Sequence, residues 1–192
     1  LLGSLSRFKG LIINPSGDWR PWKPSDELQA KRNADVKSCA TFGTLNGIET
    51  LEYKLTSIRP NYSDRFIAIL SDTTREGNDP HKVCETIREY GLIPEEMFPF
   101  EEGLTFEEYM DKSKITDEMI ATGKRWKQKW DFGHEWLWNW RDNLSVQVKL
   151  SHIREALTKG TIGLSVLGWF ENEGVYFKPT GGVDNHWIEG LL

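Results

Sequence analysis

Hydrophobic positions fall into helical periods over most of the chain and into short apolar runs only near its end. Ala40, Phe42, Leu45, Ile48, Leu51 and Leu55 follow Ser38 at helical spacing. A long, largely buried helix is expected there, with Ser38 as N-cap and Cys39 in its first turn. Phe66, Ile67, Ile69 and Leu70 follow Ser63 and Asp64, as in a short helix or an ordered loop entering the core. Asp79 and Pro80 open a clearer helix: Asp caps, Pro takes the first position, Val83, Ile87 and Tyr90 share a face, and Gly91 stops it. Cys84 lies inside that helix and reads as a packing residue. Phe106 to Trp140, charged and aromatic, reads mostly as helix. His152, Ile153, Ala156 and Leu157 mark another helix, stopped by Gly160. An apolar strand over Ile162 to Phe170 comes next, then a turn at Glu171 to Gly174 and a short strand Val175 to Phe177. A Gly181-Gly182 turn and a final strand from near Asn185 complete the pattern. Ahead of all these, Phe8 to Pro24 is punctuated by Asn14, Pro15, Ser16 and Gly17 and reads as an extended lead-in. Helices first and strands last predict an α+β class.

Composition bounds the architecture further. Of 192 residues, 38% are hydrophobic, roughly 73 side chains, enough for one sizeable core and hence a single domain over 1–192. The net charge of −5 argues against a phosphate-binding surface, so no nucleic-acid partner is expected. No window approaches the ~18 consecutive apolar residues of a membrane span, and Leu1 to Gly10 lacks the pattern of a signal peptide, so no membrane association is expected. Two cysteines, Cys39 and Cys84, are too few for a disulfide-stapled scaffold and favour the cytoplasm or a virion.

Several chemistries lose support on spacing. His81 and Cys84 stand at i and i+3 on one helix, but no second ligand pair has comparable spacing, so no metal and no cofactor are expected. His134-Glu135 lacks the second His of a zincin helix, and the Gly-rich pieces lack the ending of a phosphate loop. Lys124, Arg125, Lys127 and Lys129 interleave with Trp126 and Trp130, followed by Trp136, Trp138 and Trp140. Such a segment offers stacking area and charge, yet the acidic overall balance favours an amphipathic helix with buried Trp and solvated Lys.

A Cys/His pair fares better. Thiolate is the nucleophilic form of cysteine, and a helix N-terminus favours it through the helix dipole and unpaired amides; Cys39 is placed that way. The flanking residues resemble the papain-like cysteine peptidases, in chain order. Asp18-Trp19-Arg20 is similar to that family's D-W-R, and Ser38-Cys39-Ala40-Thr41-Phe42 to its S-C-W-A-F nucleophile motif, with Ala40 in place of Trp. Asn61-Tyr62-Ser63-Asp64 resembles L-S-E-Q, and Gly77-Asn78 the glycine pair beside the substrate cleft. Gly91-Leu92-Ile93 with Glu95, Glu96 and Phe98-Pro99-Phe100 resembles G-I-x-x-E-x-x-Y-P-Y. Ile153 to Ile162 resembles L-x-x-A-L-x-x-G-P-V, and Asn185-His186-Trp187 resembles N-H-A. His186 follows Cys39 by 147 positions, within the roughly 130–150 of the papain pattern. Only the block from about Leu104 to Lys149 has no counterpart.

The resemblance implies a two-lobed fold. A lead-in (1–24) and a helical lobe (about 25–110) carrying the Cys-bearing helix precede an insertion (about 104–149) and an antiparallel strand lobe (about 150–192). It implies a thiol hydrolase that cleaves peptide bonds in a polypeptide substrate through an acyl-enzyme. Cys39 would be the nucleophile and His186 its proton partner; Gln29 would serve the oxyanion, with Asn33 the alternative at the family spacing, and Gly77 and Asn78 would line the substrate site. The family orients its His through a later Asn, and Leu192 ends the chain before one occurs, so the strand lobe is expected to be incomplete or completed within a larger polypeptide or assembly. The style of the divergence is that of bacterial or phage members. The alternative is a non-catalytic structural or virion component reusing the fold.

Overall fold

The computed structural model describes residues 2–5, 10–25, 27–31, 34–139, 141–166, 170–172, 175–177 and 186–190. In chain order the elements are β1 (Leu2–Leu5), β2 (Ala30–Lys31), β3 (Ala34–Asp35), α1 (Cys39–Thr56), α2 (Asp64–Leu70), α3 (Pro80–Tyr90), α4 (Phe106–Tyr109), α5 (Asp117–Trp130), β4 (Phe132–Glu135), α6 (Val146–Lys159), β5 (Ile162–Val166), β6 (Phe170–Asn172), β7 (Val175–Phe177) and β8 (His186–Gly190). Short 3₁₀ turns at Arg20–Trp22, Glu95–Met97 and Lys112–Lys114 join them. Strands β1, β6, β7 and β8 are described by their backbone alone. Helix and strand are mixed, as the α+β expectation has it.

Helix α1 is the axis of the molecule. Thr41, Phe42, Leu45, Ile48, Glu49, Leu51 and Glu52 are all buried, so it has no solvated stripe of the kind a surface helix shows. Helices α2 and α3 pack against it, and β1, β5 and β8 lie against it as well. Thr161 Oγ1 donates to the Gly47 carbonyl at 3.0 Å, fixing the start of β5 on the middle of α1.

The main sheet is antiparallel in the order β4-β1-β5-β8. Gly3 pairs with His134, Leu2 with Ile162, Leu164 with Ile188 and Val166 with His186. Strands β6 and β7 form a separate hairpin, Phe170 opposite Phe177 and Asn172 opposite Val175.

Local signals set most helix ends. Ser63 caps α2 by accepting from the Phe66 amide. Asp79 accepts from His81 N with Pro80 in the first turn of α3, and Gly91, at φ 75°, ends it. Gly91 also meets the backbone of α5: a Cβ there would stand 1.8 Å from the Gly123 carbonyl oxygen. Ser145 caps α6, and Gly160 closes it.

Four expectations are corrected. The stretch Phe106 to Trp140 is not one helix: α4, a 3₁₀ turn and α5 run only to Trp130, and Phe132–Glu135 is a strand because β1 supplies a ladder for it. Helices do not simply precede strands, since the N-terminal β1 sits inside the main sheet. Ser38 stands at the start of α1 without capping it; its hydroxyl turns back to the Val36 carbonyl at 3.0 Å. Glu171 belongs to β6, opposite Tyr176, rather than to a turn; residues 167–169 lie outside the described residues. The Gly181-Gly182 turn lies outside the described residues. Among the described residues no helix is long and apolar enough to cross a membrane.

Candidate functional site

Cys39 is the first residue of α1, half-buried, with its side chain against the main core. The chain reaches it through Lys37 in the left-handed region, φ 54°, which turns the backbone sharply into the helix. Because Ser38 spends its hydroxyl on Val36, no side chain caps the helix. The thiol therefore sits at the N-terminus of an 18-residue helix, where the first amide N–H groups have no partner within the helix.

The Gly77 loop borders this turn. Thr74 and Gly77 exchange backbone hydrogen bonds of 3.0 and 3.1 Å. Gly77 holds φ 108°, and a Cβ on it would stand 3.8 Å from the Lys37 carbonyl oxygen. Asn78 has another task. Its amide donates to the Ser71 carbonyl at 3.1 Å, to Ser71 Oγ at 2.7 Å and to Thr73 Oγ1 at 3.0 Å, while its Oδ1 accepts from the Asp79 amide. The side chain holds the loop closed and has no N–H left for a bound molecule. Of the Gly77-Asn78 pair, only Gly77 adjoins the Cys39 turn, and Asn78 positions it.

Gln29 lies at the base of the β2-β3 hairpin. Ala30 pairs with Asp35 and Lys31 with Ala34 between Gln29 and Val36, and the Val36 amide returns to the Gln29 carbonyl at 3.2 Å. Gln29 is thus brought beside a residue only three before Cys39, although ten positions separate the two in sequence. Its amide Nε2 lies 3.4 Å from Asp35 Oδ1. Lys31 pins the hairpin by donating to the Phe100 carbonyl, its ammonium 4.3 Å over the Phe100 ring. Asn33 lies outside the described residues.

His186 opens β8 opposite Val166, on the strand that lies against α1; its side chain is outside the described residues. Cys84, the other thiol, is fully buried in α3, and burial pushes it up to about 12. It stays protonated and inert near neutral pH.

Further along α1 and on the elements packed against it, Glu49, Glu52, Asp64 and Glu95 bring carboxylates into the interior. Glu49 accepts from the Tyr62 amide at 2.7 Å. Glu52 accepts from the Tyr62 hydroxyl, which itself accepts from Trp126 Nε1 at 2.8 Å. Burial raises Glu52 to about 7 and Glu95 to about 7. Asp64 is raised well above the usual carboxylate range, by burial first and then by the nearby Glu27 charge.

A further cluster stands apart from Cys39 in sequence. His81 and Glu85 share a face of α3 one turn apart, and His134 of β4 meets them, with one ligand atom of each residue within 4.8 Å of the others. Along the sequence His81 stands three residues before Cys84 and His134 beside Glu135, and neither pairing makes a metal set. The i, i+4 spacing of His81 and Glu85 was a visible signal, but the partner on β4 comes only from sheet pairing.

Compared with known proteins, the chain matches no family model and no curated protein.

Proposed function

We propose that the chain is a papain-like cysteine peptidase domain, two-lobed about α1, that cleaves peptide bonds in a polypeptide substrate. The observation that carries this reading is the placing of Cys39 at the uncapped N-terminus of the buried helix α1, with the strand that begins at His186 lying against that same helix.

The chemistry follows from these groups. His186 takes the Cys39 proton and stabilises the thiolate. The thiolate attacks the scissile carbonyl, forming a C–S bond and an oxyanion. The Cys39 amide and the Gln29 side-chain amide donate to that oxyanion, the second after turning from Asp35. Collapse expels the amine, which takes its proton from the His186 imidazolium, and leaves an acyl-thioester on Cys39. Water, deprotonated by His186, attacks the thioester and frees the acid and the thiol. Gly77 keeps the wall beside Lys37 low enough for an extended peptide backbone to approach.

The test is alkylation of the full chain with iodoacetamide near neutral pH, read by peptide mass spectrometry, beside hydrolysis of an unfolded protein substrate. Cys39 should react well faster than free cysteine while Cys84 stays unmodified, and Cys39→Ala and His186→Ala should each abolish hydrolysis. Cys39 reacting no faster than free cysteine, with no hydrolysis by the unsubstituted chain, would overturn the reading in favour of a non-catalytic structural component.

A further inference from the structure

Outside the proposed catalytic centre, the most distinctive grouping of chemistry-bearing side chains joins α3 to β4. His81 Nδ1 and His134 Nε2 face each other at 2.8 Å, and His134 Nε2 lies 3.8 Å from Glu85 Oε1. Zinc holds imidazole nitrogen and carboxylate oxygen at about 2.0–2.2 Å, so in a tetrahedral shell the ligand atoms stand roughly 3.3–3.6 Å from one another. The observed separations bracket that range. Small rotations of His81 and Glu85, both exposed, suffice to reach it.

His134 is the fixed member. Its side chain is only 4% exposed, its strand is locked in register with β1 through the Gly3 pairing, and the Phe132 ring stacks on it at 6.3 Å. The ring nitrogen facing the cluster, Nε2, meets His81 and Glu85, while Nδ1 has no hydrogen-bond partner among the described residues. Nε2 of this imidazole has His81 at hydrogen-bond distance and the Glu85 carboxylate at 3.8 Å, so two further ligand atoms converge on it. A cation between the two imidazoles would satisfy both at once. Two imidazoles and one carboxylate suit zinc and its neighbours in the first transition row, whereas calcium and magnesium prefer shells made of oxygen.

We propose that His81, Glu85 and His134 bind one zinc-class divalent transition ion that clamps α3 to β4, with the fourth coordination position left to water. Arg88 sets the affinity from outside. Its Nη1 holds Glu85 Oε1 at 2.9 Å, so the ion must displace this pairing to recruit the carboxylate. Cys84, although three residues from His81, is fully buried in α3 and is not part of the set.

The experiment is titration of the metal-free full chain with zinc by calorimetry, with thermal melts at each zinc level and cobalt absorption as a spectroscopic readout. One zinc per chain is expected, with a Tm that rises with zinc concentration because only the native state assembles the site. His81→Ala, at an exposed position that leaves the core intact, should weaken binding at least ~10-fold, since even indirect partners of a metal ligand are worth ~10–100-fold. Glu85→Gln should also weaken binding, and Arg88→Ala should tighten it. Cobalt should give tetrahedral d–d bands without thiolate charge transfer. The proposal is overturned if zinc leaves Tm unchanged, if His81→Ala or Glu85→Gln binds as the unsubstituted chain does, or if a thiolate band shows that a cysteine holds the ion.

Discussion

The indole N–H of Trp19 donates to the Leu157 carbonyl at 2.7 Å, tying the irregular N-terminal segment to the last turn of α6. The adjoining Thr158 carbonyl accepts from the amides of Ile13 and Asn14 at 2.9 and 3.0 Å. Carbonyls in a last helical turn have no partner within the helix, and here the lead-in supplies it. Trp19 is 0% exposed, so its conservative loss is informative. Trp19→Phe should cost about 2–4 kcal/mol, combining an orphaned buried carbonyl with a partly emptied site. Urea denaturation measures it, with Ile12→Ala on the same segment as the near-neutral control, since Ile12 is exposed.

The approach of α3 to α5 yields a sharper expectation. Gly91 combines a positive φ of 75° with a Gly123 carbonyl oxygen only 1.8 Å from where a Cβ would stand, and a Cβ on Gly123 would meet the Tyr90 oxygen at 2.3 Å. Both obstacles are backbone, so the helices must separate. Gly91→Ala should destabilise by at least about 3 kcal/mol, and Gly123→Ala should be comparably damaging. A loss below about 1 kcal/mol for both would mean that α5 is not docked on α3 as described.

Glu52 sets a pH dependence. Burial raises its carboxyl from 4.5 to about 7 despite the Tyr62 hydrogen bond and the Lys129 charge. Between those pH values the native state keeps a proton that the unfolded chain has released. Stability therefore falls as pH rises through that window, is fully penalised above about 7, and is unaffected below about 4.5. Glu95, also raised to about 7, acts in the same direction. Glu52→Gln keeps an acceptor for Tyr62 and cannot ionise. It should gain on the order of 2–3 kcal/mol over the unsubstituted chain at pH 8 and almost nothing at pH 4, as followed by chemical denaturation across the range.

What could be read from sequence was what local chemistry decides. Asp79-Pro80 and Gly91 bound α3, Gly160 closes α6, and the apolar period from Ala40 to Leu51 marks α1, because caps, breakers and burial act within a few residues. What escaped depends on partners distant in the chain. Phe132-Gly133-His134-Glu135 has no strong strand signal and becomes a strand only because Leu2–Leu5 pairs with it. The β2-β3 hairpin, which returns the Val36 amide to the Gln29 carbonyl, carries no strand signal in the sequence either. In the candidate site, Cys39 was legible because a helix start is a local event. The closed hydrogen-bonding of Asn78 was not legible, and neither was the meeting of His81, Glu85 and His134.

The hairpin gives the last prediction. It carries Gln29 to the Val36 level, three residues before Cys39, and leaves its amide against Asp35 at 3.4 Å, a weak contact near the upper limit for a hydrogen bond. If that amide serves the oxyanion, its contribution arises only as charge develops on the substrate oxygen, so its removal acts on kcat and not on KM. Gln29→Ala should lower kcat about 10²–10³-fold with KM nearly unchanged, and Gln29→Glu, which replaces a donor with an acceptor, should be at least as poor. Asp35→Ala frees the amide from its resting partner and should leave kcat equal or higher. Initial rates on an unfolded protein substrate, with alkylation of Cys39 as a check that the thiolate survives, separate these outcomes. A Gln29→Ala chain with full kcat would move the oxyanion role to Asn33, where Asn33→Ala would then show the same loss.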